Sequence, residues 1–324
     1  MALTHSILVL PGDGIGPEVM AEAIKVLKAF ETSQHKFELR HELIGGCSID
    51  ATGSSIVEEV KQAALSSDAV LFAAVGGPKW DNARHGLDGP EGGLLQLRKA
   101  MDIYANLRPC SVNSPSTSIA KEFSPFRPEI IEGVDFIVWI INIHVELMII
   151  SAMDEWGYSE AEIQRVTRLA AEVALRHDPP WPLADSASLI MATNPRSLNG
   201  VILADNTFGD MLSDQAGSIV GTLGVLPSAS LNGLPGDKKL QTRPYGLYEP
   251  THGSAPTIAG QNIANPVAMI LCVALMFRYS LNMEAEARRI ENAVRKVLDS
   301  GHRTPDLGGK MGTKEIGDAI VAAL

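Results

Sequence analysis

A short apolar run, Ile7 to Leu10, gives way to Pro11-Gly12-Asp13-Gly14-Ile15-Gly16-Pro17-Glu18. Beyond it Val19, Met20, Ala23, Ile24, Val26, Leu27 and Phe30 recur at helical spacing. A strand that must turn into a helix within so few residues needs the backbone freedom of glycine. Pro17 suits a first helical turn, whose N–H groups have no partner within the helix, and Glu18 suits its dipole. The same succession returns along the chain. Ala69 to Val75 reads as a buried strand ending in Gly76-Gly77-Pro78, Gly133 to Ile143 carries the run FIVWIINI, and Val201 to Leu203 opens a strand-to-helix unit through NTFGDMLSDQAG. Asn265 to Tyr279 and Glu284 to Leu298 are helical by period. Strands alternating with helices predict an α/β fold. The sequence has no internal repeat, and the Gly/Pro-rich stretch from Leu231 to Pro244 reads as a loop and a candidate domain crossing.

A length of 324 residues with 45% hydrophobic and 20% charged side chains predicts two globular domains and excludes disorder. The net charge of −11 argues against nucleic acid and anionic lipid as partners, while leaving room for a small anionic substrate at a locally basic site. Cys47, Cys110 and Cys272 are unclustered and odd in number, which fits a reducing compartment and buried thiols. The opening MALTHSILVLPGDG has neither a basic leader nor an Arg/Ser-rich one, so a cytoplasmic location is expected. Val134 to Met153 contains Asp135, His144 and Glu146, and Pro266 to Phe277 is too short to span a bilayer. Both are expected to be buried elements, with no membrane partner.

Several residues carry candidate chemistry. The glycine spacing in the first loop is GxGxG, not the GxGxxG of dinucleotide folds, so a tight strand–helix turn is the favoured reading. His252-Gly253-Ser254-Ala255-Pro256 is a small-residue loop that lets backbone N–H groups approach a ligand, and Asn265 can read an adenine edge; a structural turn before Pro266 is the competing reading. Asp210 and Asp214 lie four apart, so on a helix both carboxylates leave one face and repel unless a cation sits between them. Mg²⁺ or Mn²⁺ suits such oxygen donors, and Asp185 is a candidate third ligand; a solvated acidic face is the alternative. Arg98 and Arg108 bracket a stretch expected to be helical and stopped by Pro109, and their guanidinium forks suit a dicarboxylate.

Taken in order, PGDGIGPEV, DATG, GGPKW, GGLLQLRKAMDIYANLRP, DSASLIM, NPRSLNGVI, NTFGDMLSDQAG, GVLPSAS, GLYEPTHGSAPTIAG, IANP and RTPDLGG resemble the β-decarboxylating dehydrogenases of the isocitrate/isopropylmalate type. They span nearly the whole chain. The resemblance implies a two-domain α/β fold distinct from the usual Rossmann arrangement, with residues 1–104 plus 249–324 forming the cofactor domain. Residues 105–248 would form the substrate, metal and dimerisation domain of a homodimer. It implies oxidation of 3-isopropylmalate by NAD⁺ followed by loss of CO₂, in leucine biosynthesis. Arg98 and Arg108 would hold the substrate carboxylates, and Leu94 and Leu95 would meet the isopropyl group. Asp210 and Asp214 would bind Mg²⁺ or Mn²⁺, with Asp185 reaching across the dimer to metal and substrate. His252, Gly253, Ser254, Ala255, Pro256 and Asn265 would line the adenosine site, and Gly76 and Gly77 would flank the cofactor.

Two departures stand out. The family has an arginine and a tyrosine in a segment resembling V-R-E-x-x-G-G-x-Y-F-G after GVDFIV, whereas this chain reads WIINIHVELMIISAM, with Ile140 at the arginine's place. The family also continues from a DPP-like helix end into a strand bearing its catalytic lysine. Here His177-Asp178-Pro179-Pro180-Trp181-Pro182 runs directly into Leu183-Ala184-Asp185. Roughly thirty residues, about one βαβ unit, are absent there. No residue is therefore assigned as catalytic acid or base. Abrupt defects between intact motifs point to retained intron sequence near 139–150 and a skipped exon near 182/183. Phe136 to Ile143, uncharged and β-prone, is an aggregation hazard if it finds no partner. Thr257, where relatives place an acid, weakens the preference for NAD over NADP. Alternative readings are a paralogue acting on a bulkier 2-alkylmalate and a non-catalytic partner or regulatory subunit.

Overall fold

The computed structural model describes residues 3–81, 88–112, 117–141, 160–174, 186–233 and 246–324. Among them run eight strands: β1 (Leu3–Gly12), β2 (His35–His41), β3 (Ala69–Ala74), β4 (Ala105–Ser111), β5 (Asp135–Ile141), β6 (Gly200–Ala204), β7 (Pro227–Leu231) and β8 (Gly246–Pro250). They form one mixed sheet in the order β2-β1-β3-β8-β7-β4-β5-β6. Pairing is parallel for β1 with β2 and β3, for β3 with β8 and for β5 with β6, and antiparallel around β7 and between β4 and β5.

Alternation along β1 shows why the sheet is buried on both faces. Ile7 and Val9 enter one apolar cluster, with Leu71, Ala73 and Tyr248, while Leu8 and Leu10 enter a second, with Val70, Phe72 and Leu247. Helices Gly16–Lys28, Val267–Tyr279 and Glu284–Asp299 cover the first face. Val267–Tyr279 is apolar almost all round, as its sequence required, and packs on β7, β8 and the other two helices. No helix among the described residues is long and apolar enough to cross a membrane.

Three sequence expectations are adjusted. The stretch between Arg98 and Arg108 is not one helix: helix Pro90–Ala100 ends, and Arg108 stands in the middle of β4. Pro109 lies inside that strand, where it is tolerated because the ladder to β7 covers only Ala105 to Leu107, leaving Pro109 opposite Ile137 of β5 alone. The apolar run after Gly133 does find partners, since β5 pairs with β4 along one edge and β6 along the other. Strand β7 reaches Leu231, and residues 234–245 of the expected crossing lie outside the described residues. All three cysteines are free, and burial pushes the Cys110 and Cys272 thiols far up from their ordinary range.

Candidate active site

Because β1, β3 and β8 run parallel, their carboxyl ends and the loops that follow meet at one edge of the sheet, the usual place for ligands in α/β proteins. The first loop's glycines are consumed by packing. A side chain at Gly12 would collide with the carbonyl of Ala74, at Gly14 with that of Ser254 and at Gly16 with that of Pro11; Gly12 and Gly14 also hold left-handed backbone, at φ 68° and 59°. The GxGxG signature is thus a tight turn wedged between its neighbours, as its spacing argued. Gly76, at φ 99°, has the carboxylate of Glu91 where a side chain would be. Gly77, beside it, packs under the Trp80 ring.

The floor of the site is a row of polar side chains on β4, β7 and β8. Asn106 faces Ser230 across the β4–β7 ladder and donates to its Oγ at 2.9 Å. Arg108, two residues on and so on the same face, donates from Nε to Asn106 Oδ1 at 2.9 Å and from Nη1 to Ser213 Oγ at 2.7 Å. Its Nη2 pairs with Asp210 Oδ1 at 2.7 Å. Ser228 is in register with Glu249 of β8, and Glu249 forms an ion pair with Arg98. Both partners are largely buried, and Arg98 Nε has no hydrogen-bond partner. Leu94 and Leu95 sit on the Arg98 helix; Leu94 packs toward the second core cluster, and Leu95 is 40% exposed. The two arginines therefore converge on one polar face instead of making ordinary surface pairs.

Asp210 and Asp214 both lie on helix Asn206–Val220, whose start is capped by Asp205 accepting from the Phe208 N–H at 3.0 Å. Asp214 is exposed. Their hard oxygen donors suit a divalent ion of the Mg²⁺ class, with water completing its shell. Among the described residues no group of three such ligands exists, and Asp185 lies outside them. Behind this helix Ile140, 1% exposed, packs against Gly209, so the expected arginine position lies next to Asp210 and is filled by a hydrocarbon side chain.

The loop after β8 carries His252, whose ring shares a 3.0 Å hydrogen bond through Nδ1 with the Gly253 carbonyl. That bond makes Nδ1 the donor and leaves Nε2 as an acceptor, buried and without a partner. Burial lowers the His252 pKa, so the ring is neutral at pH 7. Nothing approaches the side-chain position of Gly253, Ser254 is buried and holds the first loop through its carbonyl, and Ala255, just before Pro256, is held at φ 40°. An orphaned acceptor beside an open glycine fits a nucleotide. Asn265 is already engaged: it donates to Asp306 Oδ2 at 3.0 Å and accepts from the Val267 N–H at 3.0 Å, which leaves one N–H and one lone pair of its amide. Asp306 also accepts from Thr222 at 3.0 Å and from Thr304 at 2.5 Å.

A model of the isocitrate/isopropylmalate dehydrogenase family matches residues 6–184 and 181–320. The chain belongs to that family. It is 65% identical to 3-isopropylmalate dehydrogenase B of Aspergillus niger, over 99% of this chain and 97% of the relative. It is 43% identical to 3-isopropylmalate dehydrogenase of Saccharomyces cerevisiae, over 99% and 98%. Among solved structures it is similar to isocitrate dehydrogenase from Methylococcus capsulatus, with a TM-score of 0.78 and 26% identity over 98% of this chain and 99% of that one. A β-decarboxylating dehydrogenase from Thermococcus kodakarensis gives 0.74 and 29% over 98% and 96%. The chain is thus an α/β homologue of 3-isopropylmalate dehydrogenases, which are oxidoreductases.

The family match breaks at 181–184, where the sequence reads as a junction. The alignment with the Aspergillus niger relative runs over 365 positions against 324 residues here, so at least 41 of its positions have no counterpart in this chain. Residues 142–159 and 175–185 lie outside the described residues; they carry the junction at 182/183 and all of the first departure beyond Trp139, Ile140 and Ile141. Asn106, Ser228, Ser230, Glu249 and Asp306 went unassigned in the sequence. The signal was present for the first three: Asn106 and Arg108 in β4, and Ser228 and Ser230 in β7, place polar residues at every second position of strands buried on both faces.

Proposed function

We propose that this chain is a 3-isopropylmalate dehydrogenase homodimer of leucine biosynthesis in its binding surfaces, working in the cytoplasm, with the proton-handling groups of the reaction removed. The observation that carries the reading is the convergence of Arg98, Arg108 and Asp210 on one polar face, in a chain 65% identical to a 3-isopropylmalate dehydrogenase. Arg98 and Arg108 bind the two carboxylates of the substrate, exchanging Glu249 and Asp210 for it, and Leu94 and Leu95 contact its alkyl group. Asp210 and Asp214, with Asp185 from the other protomer, hold Mg²⁺ or Mn²⁺. Gly76, Gly77, the loop His252 to Pro256 and Asn265 would hold NAD⁺, the last two on its adenosine side. When bound, the ion supplies a positive charge that favours ionisation of the C2 hydroxyl.

The chain's own residues orient the dicarboxylate and keep His252 as a neutral acceptor. The proton of the C2 hydroxyl has no base, and the carbon from which CO₂ leaves has no acid, because the family's lysine and tyrosine are missing. Loss of one positioned acid or base costs about 10²–10⁴ in rate. The division into a cofactor domain (1–104 plus 249–324) and a substrate domain (105–248) belongs to the same proposal. The dimer is supported by an exposed apolar patch: Phe208, Met211 and Leu189 are 53%, 64% and 66% exposed on two helices tied by a Ser188–Gln215 hydrogen bond of 2.8 Å.

The test is NADH formation from 3-isopropylmalate, NAD⁺ and Mg²⁺, on this chain and on one with the missing segment restored. Activity in the restored chain alone is expected. Equal activity in both would overturn the assignment of the proton-handling groups. A restored chain that stays inert while both bind substrate would favour a non-catalytic subunit.

A further inference from the structure

The reaction as proposed uses neither Asp13 nor Glu18, the two carboxylates of the glycine turn. Asp13 is 4% exposed, and its oxygens accept three backbone N–H groups: Gly46 at 2.7 Å, Cys47 at 2.8 Å and Gly76 at 2.9 Å. Glu18 accepts from the N–H groups of Gly260 and Asn262, the latter at 3.0 Å. Between them, the Ile15 N–H donates to the Ser254 carbonyl at 2.8 Å. The segment Pro11 to Glu18 therefore grips two separate walls, the end of β3 at Gly76 and the loop from Ser254 to Asn262.

Gly76, Gly260 and Asn262 all hold left-handed φ values, of 99°, 76° and 57°. Neither glycine has side-chain sterics to fix its N–H direction. A carboxylate only accepts and an N–H only donates, so each grip is fully matched. Gly76 also touches Glu91, on the helix that bears Leu94 and Arg98, whereas the second wall continues from His252. On the NAD reading, the first wall would face the substrate end of the dinucleotide and the second would face its adenosine end.

We propose that Asp13 and Glu18 are positioning residues of the dinucleotide site: Asp13 sets the wall at the nicotinamide end, and Glu18 sets the wall at the adenosine end. This rests on the NAD reading above. The conservative variants Asp13→Asn and Glu18→Gln keep size but replace one acceptor oxygen by an NH₂ that faces a backbone N–H.

The full chain and both variants are titrated with NADH, by fluorescence, and with AMP, by calorimetry. Glu18→Gln is expected to weaken NADH and AMP alike by about tenfold, and Asp13→Asn to weaken NADH by about tenfold while leaving AMP within about twofold. Amide hydrogen exchange should quicken at Gly260 and Asn262 in the first variant and at Gly46, Cys47 and Gly76 in the second. A general loss of stability cannot produce that split. Equal losses of both ligands in both variants, or unchanged binding, overturn the proposal while the NAD reading stands. Should Asp13→Asn not fold, the half-buried Glu18 decides, and unchanged AMP affinity there overturns it. A parent chain that binds neither NADH nor AMP overturns the NAD reading together with this one.

Discussion

Replacing Gly209 by Ala adds one carbon where helix Asn206–Val220 meets β5. That carbon would lie 2.6 Å from Cγ1 of Ile140, 3.1 Å from its Cγ2 and 3.2 Å from its Cβ. Carbon atoms rest at roughly 3.5–4.0 Å. Ile140 has nowhere to retreat, because it is 1% exposed and its strand is paired on both edges, with Asn106 and Ala204 as its register partners. Overpacking of this kind costs about 1–3 kcal/mol. Exchanging Gly for Ala inside a helix returns about 1 kcal/mol. The net expectation is a loss of about 1 kcal/mol, read from urea unfolding followed by circular dichroism. Ile140→Ala alone opens a cavity and costs about 2–5 kcal/mol. In the double variant the added methyl occupies part of that cavity, so the two changes should cost about 1–2 kcal/mol less together than separately. A Gly209→Ala chain that gains the full propensity term, with costs that simply add in the cycle, would refute the contact.

Acid should destabilise the protein through His252. Burial lowers its folded-state pKa below the ordinary 6.5, so the unfolded chain takes up the proton first. The stability that His252 contributes is present above pH 6.5 and is lost as the pH falls through the folded-state value. Urea midpoints of His252→Gln should therefore vary less between pH 7.5 and 5 than those of the parent, and parallel curves would discount the histidine. Met211→Glu places a charge in the apolar patch with Phe208 and Leu189, and sedimentation at one concentration is expected to give a dimer for the parent and a monomer for the variant. A variant that sediments like the parent would move the interface elsewhere.

The α/β class, the helices Gly16–Lys28, Val267–Tyr279 and Glu284–Asp299, and β1, β3, β5 and β6 were legible because each carries a helical period or a short apolar run that a single stretch of chain reveals. Strand β4 was not, since the helical start at Gly92 and the stop expected at Pro109 hid a short strand whose pairing partners lie at Ile137 and Ala229. The acidic pair on one helix face and the two arginines were also readable. Their union was not: Arg108 reaches Asp210 because helix Asn206–Val220 packs across β5 and β4, a placement that no local pattern contains. Asp13 and Glu18 stood in plain view within the glycine turn. What they hold, at Gly76 and Gly260, lies at sequence separations only the fold closes.

The order of the sheet also has a consequence for how the protein is made. Strand β3, AVLFAA, is uncharged and fully buried, and its second edge is covered by β8, about 170 residues later. At about 5–20 residues per second, a ribosome leaves that edge open for roughly 10–35 s after β3 emerges. For that interval the nascent chain presents a six-residue apolar edge of the kind that recruits other strands. Yield in the cell should therefore respond to holdase supply and to translation speed between codons 75 and 245 more than to the stability of the finished fold.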